Sequence, residues 1–127
     1  MRLAWWPRMP PTNYKDLVAW QRAMDLAVAV YAATQMLPPE ERFGLSAQMR
    51  RAAVSIAANI AEGQGRATNG EFGNQLSVAH GSTRELETHV MLSERLRFLS
   101  EEEARRLLDR CAEVGRLVTG LAKSLKR

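Results

Sequence analysis

The stretch from Gln48 to Gly63, QMRRAAVSIAANIAEG, is apolar in more directions than a surface helix needs, and that limits how the rest of the chain can be arranged. Laid out at about 100° per residue, Leu45, Met49, Ala53, Ile56 and Ile60 form one apolar stripe. Gln48, Arg51, Ser55, Asn59 and Glu62 form a polar stripe beside it. A third arc holds Ala47, Val54, Ala58 and Ala61, where an ordinary amphipathic helix carries charge. Small apolar residues there imply a second packing surface, inside the fold or against another subunit.

Three more helical patterns surround this one. From Asp16 to Met36 there is no Gly or Pro, and Leu17, Trp20, Met24, Ala27, Val28 and Tyr31 recur at helical spacing, which predicts a first helix with that stripe inward. Leu26, Ala29, Ala33 and Met36 give it a second apolar face. Pro38 and Pro39 stop it, and the short link to the central helix near Phe43 suits an antiparallel neighbour. Gly63 and Gly65 are expected to end the central helix through left-handed conformations.

Thr68, three residues before Glu71, reads as a capping box opening a third helix with Phe72, Leu76, Ala79, Thr83, Leu86 and Val90 inward. Gly70, Gly73 and Gly81 each weaken that helix by up to ~1 kcal/mol relative to Ala, so they are expected to mark close backbone contact. Ser100 with Glu103 opens a fourth helix to about Leu125, with Ala104, Leu107, Leu108, Cys111, Gly115, Val118, Ala122 and Leu125 inward. The pattern holds no strand, and four helices on short links predict an all-α, up-and-down antiparallel four-helix bundle over residues 14–127. The first thirteen residues, with three prolines and with Trp5 and Trp6, read as a flexible leader rather than a signal peptide or membrane span.

Composition narrows the function. One cysteine, Cys111, permits no intrachain disulfide, so the reducing cytoplasm is the expected compartment. A di-iron bundle needs carboxylates from all four helices and Glu-x-x-His pairs, whereas Glu85 and His89 stand four apart and no second pair exists. No glycine-rich phosphate loop follows a strand, and no histidine accompanies Cys111 or Ser55 on its helix. The expectation is no metal, no cofactor and no catalysis.

The charge is more informative. The net charge of +4 comes from 18 basic residues, 15 of them Arg, the residue suited to bidentate phosphate contacts. Candidates for contact with a polyanion are Arg50, Arg51, Arg66, Arg84, Arg105, Arg106, Arg110, Arg116 and Lys123, with Arg105, Arg116 and Lys123 aligned on the outer side of the fourth helix. On one protomer they are scattered; repeated around a ring they become a continuous basic surface. The alternative is a solvated face balanced by Glu87, Glu94, Asp109 and Glu113. For the polar stripe Gln48, Ser55, Asn59 and Glu62, ending at Gly63, one reading is a hydrogen-bonded network that fixes register, and the other is a polar surface for a partner.

The order Leu17 to Trp20, Tyr31, Pro38, Gly44-Leu45, Gln48 with Arg50-Arg51, Ser55-Ile56-Ala57-Ala58-Asn59-Ile60-Ala61-Glu62-Gly63, Arg66, Phe72, Ala79-His80-Gly81-Ser82 and Glu85-Leu86-Glu87 resembles a bacterial four-helix bundle family. That family is known from proteins encoded in intervening sequences of 23S ribosomal RNA genes. The likeness spans about Tyr14 to Lys126; the leader has no counterpart. It implies a small antiparallel bundle and a homopentameric ring or barrel, with a relative that serves diversity-generating retroelements as a basic accessory protein binding a reverse transcriptase and nucleic acid. The expectation is a homo-oligomeric ring, a pentamer by this likeness, presenting arginines to structured RNA or DNA, with Ala47, Val54, Ala58, Ala61, Leu26 and Ala33 at the subunit interface. The competing expectation is a protein-binding adaptor, for example for a reverse transcriptase, with no nucleic-acid binding of its own.

Overall fold

The computed structural model describes residues 13–126. The expected leader, including Trp5 and Trp6, lies outside the described residues apart from Asn13, which belongs to the fold. Its side-chain oxygen accepts a hydrogen bond from the Lys15 amide at 2.9 Å and caps a short 3-10 turn, Tyr14–Asp16.

Four helices follow: α1 (Val18–Thr34), α2 (Leu45–Gln64), α3 (Asn69–Arg95) and α4 (Glu101–Ser124). There is no strand among the described residues. Each helix packs on its two sequence neighbours, α4 closes back on α1, and the diagonal pairs stand across the core. This is the up-and-down four-helix arrangement that short links favour.

The core stripes of α2, α3 and α4 fall where periodicity puts them. Leu45, Met49, Ala53, Ile56 and Ile60 meet Leu76, Ala79, Thr83, Leu86 and Val90, with Ala104, Leu107, Cys111 and Val118 completing the layer. The first helix is rotated from the expected phase. Ala19, Ala23, Leu26, Ala27 and Val30 are buried, whereas Met24 and Tyr31 are exposed and Val28 is 69% exposed. Alanines at 19, 23 and 27 let the α1 backbone come close to its neighbours, so the small face turns inward and the bulky one is left outside. Leu26, expected at a subunit interface, is therefore fully buried in the protomer core, and Ala33 packs half-buried against the same core.

The helix ends use three different devices. At α2 the Leu45 amide donates to the Glu41 carboxylate at 3.0 Å. At α3 the Thr68 hydroxyl accepts from the Glu71 amide at 3.1 Å. At α4 Ser100 and Glu103 form the full reciprocal box, at 3.0 and 3.1 Å. Those bonds, from the Ser100 backbone first and its hydroxyl second, hold the Glu103 carboxyl below the usual range.

The glycines behave differently from expectation. Gly63 lies within α2 and Gly65 caps it with φ −81°, so neither uses the left-handed region. Gly63 serves close packing instead: a Cβ there would sit 2.7 Å from the Phe72 ring and 2.9 Å from the Gln75 Cβ. Gly73 and Gly81 on α3 meet nothing within 4 Å, and Gly70 only the Thr68 hydroxyl at 3.9 Å, so they mark open space on this protomer. The one left-handed residue among those described is Arg97, φ 64°. It ends α3 in a Schellman turn, with the Phe98 amide on the Ser93 carbonyl and the Arg97 amide on the Glu94 carbonyl, both at 2.9 Å.

Two substitutions test this packing by chemical denaturation. Ile56→Ala empties a fully buried site and is expected to cost about 2–5 kcal/mol. Gly63→Ala adds a methyl group against Phe72 and is expected to cost about 1–3 kcal/mol despite alanine's better helix propensity. A neutral or stabilising Gly63→Ala would show that α2 and α3 are not held at this distance.

Candidate nucleic-acid interface

Folding divides the candidate cations into those engaged within the protomer and those left available. Arg50 is engaged with α1. Its Nε donates to the Thr34 hydroxyl at 2.8 Å, and its guanidinium lies over the Tyr31 ring, 4.4 Å from the centroid. It ties the C-terminal turn of α1 to α2. Arg66 stands 3.9 Å from Glu62, Arg84 is 2.9 Å from Glu87, and Arg106 is 2.6 Å from Glu102. All three pairs lie within one helix turn and leave the arginines largely exposed, so these pairs are weak tethers.

Arg51, Arg105, Arg110, Arg116 and Lys123 are exposed and make no ion pair among the described residues. Arg105, Arg116 and Lys123 are spaced by 11 and 7 residues, which keeps them on one side of α4 over about 27 Å at 1.5 Å per residue. Arg110 lies further around α4, and Arg51 is on the outer surface of α2. The candidates thus converge on α4 rather than on a single point.

Charge is also segregated along the bundle. From Val114 to Lys126 the chain carries Arg116, Lys123 and Lys126 and no acidic residue. The facing half of α3, from Gly70 to Arg84, carries one acid, Glu71, near its N-terminus. Most acids, including Glu85, Glu87, Glu94, Glu101, Glu102 and Asp109, belong to the opposite half. The basic end thus coincides with a groove between α3 and α4 of about 650 Å³, lined among others by Asn74, Ser77, His80, Thr119, Lys123 and Lys126. A second hollow of about 470 Å³ adjoins it, sharing His80, Thr119 and Lys123 and adding Arg84 and Arg116. Sequence reasoning had not placed Lys126, His80 or Thr119 here. The run without acids after Glu113 was the available signal.

The polar stripe of α2 resolves into a small network at the α3 seam. The Ser55 and Ser82 hydroxyls are 2.9 Å apart, and the Asn59 amide donates to the Ser55 carbonyl at 2.8 Å and its hydroxyl at 3.0 Å. Gln48 and Glu62 stay exposed outside it. Ala47, Val54, Ala58 and Ala61 lie toward α1 and together with Met24, Val28 and Tyr31 leave a broad apolar flank; Val54 is 46% exposed. Val78, Leu92 and Leu96 are exposed on one flank of α3, with the Glu85–His89 pair between Val78 and Leu92.

No group of three or more His, Cys, Asp or Glu side chains among the described residues is placed to hold a metal ion. No described helix is long and apolar enough to cross a membrane. Cys111 is fully buried, and burial, with a smaller contribution from Glu87, pushes its thiol up to about 12.

The fold and its charge distribution define a small, all-helical four-helix bundle with a basic groove at one end. Residues 15–120 match the family described as 23S rRNA-intervening sequence protein, and the chain belongs to that family. It is also similar in fold to a crystal structure of a protein of unknown function from the S23 ribosomal protein family of Bacteroides thetaiotaomicron VPI-5482. The TM-score is 0.78 at 24% identity, covering 84% of this chain and 99% of that one. No curated protein matches the chain.

The state of Cys111 gives a direct check. Because the folded thiol holds its proton where an unfolded one would lose it, the native protein is expected to resist a thiol-specific disulfide reagent at pH 8 and to react fully once unfolded. Rapid labelling of the native protein would show that α3 and α4 open in solution.

Proposed function

We propose that the protein is a non-enzymatic, ring-forming bundle that binds structured RNA or DNA through the basic side of α4. The observation that carries this reading is the row Arg105, Arg116 and Lys123, free of ion pairs and continued by Lys126 at the acid-free end of the helix. Cations left unpaired by the fold lose nothing internal when they meet phosphates, and each phosphate neutralised releases counterions. Asp109, one turn from Arg105, weakens the upper part of the row, so Arg116 and Lys123 carry most of the contact.

Self-association is supported by exposed apolar side chains on two separate flanks. The α1–α2 flank is lined by large side chains from α1 and small ones from α2, whereas the α3 flank carries Val78, Leu92 and Leu96. Two different patches that meet head to tail generate a closed ring when the rotation closes, as opposed to the self-complementary patch of a two-fold dimer. A pentamer, the assembly implied by the sequence likeness, repeats the α4 row five times. The adaptor reading would use the same apolar flank for a different protein, and nothing in the geometry favours it over a second copy.

Fluorescence anisotropy on labelled structured RNA and duplex DNA across a salt series tests the first part. The triple variant Arg105→Glu, Arg116→Glu and Lys123→Glu is expected to keep its helix content and mass while reducing the slope of log affinity against log salt by about 3. Unchanged binding by that variant would rule out the α4 side. For the second part, Val54→Glu is expected to lower the mass measured by light scattering to that of a protomer without loss of helicity. An unaltered mass would place the interface elsewhere, and a monomeric parent protein would end the ring reading.

A further inference from the structure

The glycines of α3 and α4 have no role within the protomer that the packing explains. Gly73, Gly81, Gly115 and Gly120 would each accept a Cβ with nothing inside 4 Å, and Gly70 nearly so; of these five only Gly81 lies away from the hollows between α3 and α4. Each weakens a helix interior relative to alanine. The other four, Gly70, Gly73, Gly115 and Gly120, all line the two adjoining hollows between α3 and α4. The missing side chains are what makes the groove, since any longer residue there would fill it.

The groove is chemically one-sided. Arg116, Lys123 and Lys126 on its α4 wall are free of ion pairs, Arg84 on its α3 wall is shared with Glu87, and Glu87 is the one acid among its lining residues. Asn74, Ser77 and Thr119 add exposed hydrogen-bonding groups, and His80 stands where the two hollows meet. Its floor is apolar, formed by Leu76, Val118 and Ala122. Cationic walls with an apolar floor match a phosphodiester strand, whose phosphates take the walls while a ribose or base edge covers the floor. A second bundle helix would bury three unpaired cations without partners, so charge complementarity favours the polyanion.

We propose that this groove seats a single nucleic-acid strand, running along α3 and α4 with its backbone brought close by Gly70, Gly73, Gly115 and Gly120. The inference rests on the nucleic-acid reading above and adds to it a specific seat and a strandedness. A duplex presents two convex phosphate ridges that reach the cation row but not the apolar floor.

Filling the groove without changing its charge separates this inference from the reading it rests on. Gly73→Leu and Gly120→Leu introduce good helix formers into open space, so the melting temperature is expected to equal or exceed that of the parent protein. Anisotropy with a short labelled single-stranded RNA at low salt is expected to show affinity lowered by about tenfold or more in each variant, with the mass by light scattering unchanged. Thr119→Glu, which adds a carboxylate to the groove, is expected to act in the same direction.

Filled variants that bind the strand as tightly as the parent would overturn the groove while leaving the α4 row in place. A mass that falls when the groove is filled would overturn it in favour of a subunit contact. Duplex RNA of equal length binding more tightly than the single strand, and losing affinity equally in the filled variants, would overturn the strandedness. A parent protein that binds no nucleic acid at low salt would remove both readings together.

Discussion

The close seam between α2 and α3 is the constraint on which the other positions depend. Gly63 lets the Phe72 ring and Gln75 lie against the α2 backbone, at a distance no alanine would tolerate without movement. Along the same seam Ser55, Asn59 and Ser82 satisfy one another with short side chains, so two helices meet there without a thick apolar layer. A small-residue seam with directional bonds fixes register as well as distance, because sliding either helix by one turn separates the two hydroxyls. With α2 and α3 set, Met49, Ile56 and Ile60 on one side and Leu76, Leu86 and Val90 on the other define the layer against which α1 and α4 pack.

How much of this could be read from the sequence depends on how one-sided each helix is. The α4 pattern has acids and arginines on one side and Leu107, Cys111, Val114 and Val118 on the other, so periodicity alone orients it. The first helix has apolar residues nearly all round, and there periodicity gives two answers. Close packing selects the face of alanines with Leu26 and Val30, a choice that depends on the neighbours' shape and not on hydrophobicity. The same limit explains the glycines. A helical glycine shows in sequence only that a side chain is missing, and whether the space left is filled by Phe72, as at Gly63, or open, as at Gly73, is decided by another part of the chain. Arg97 closes a Schellman turn without glycine, so its turn carried no composition signal.

The arginines show the same division of labour. Arg50 is spent on the C-terminal turn of α1, where a cation meets both the helix dipole and an aromatic ring. Arg22 reaches across to Glu113 at 3.4 Å and links α1 with α4. Others sit one turn from a carboxylate and are partly neutralised by it. Of those that remain, Arg116, Lys123 and Lys126 are gathered at the C-terminal end of the chain, and their position follows from the order of acids, since Glu113 is the last of them. A count of basic residues therefore overstates the surface available to a polyanion, and their placement understates it only if the protomer is taken alone.

Symmetry decides whether such a subset is enough. The three cations of the α4 row on one protomer give a log–log salt dependence of about −3 on duplex DNA at most, which corresponds to the weak, nonspecific range of binding. Closing a ring does not change any single contact, but it holds several copies at fixed spacing, so that each contact after the first is made at high effective concentration. The seam between α2 and α3 then matters for binding as well as for stability. It fixes the direction in which the α1–α2 flank and the α3 flank point away from the bundle, and in the proposed ring that direction would set the angle between successive protomers and the path of a strand lying in successive grooves.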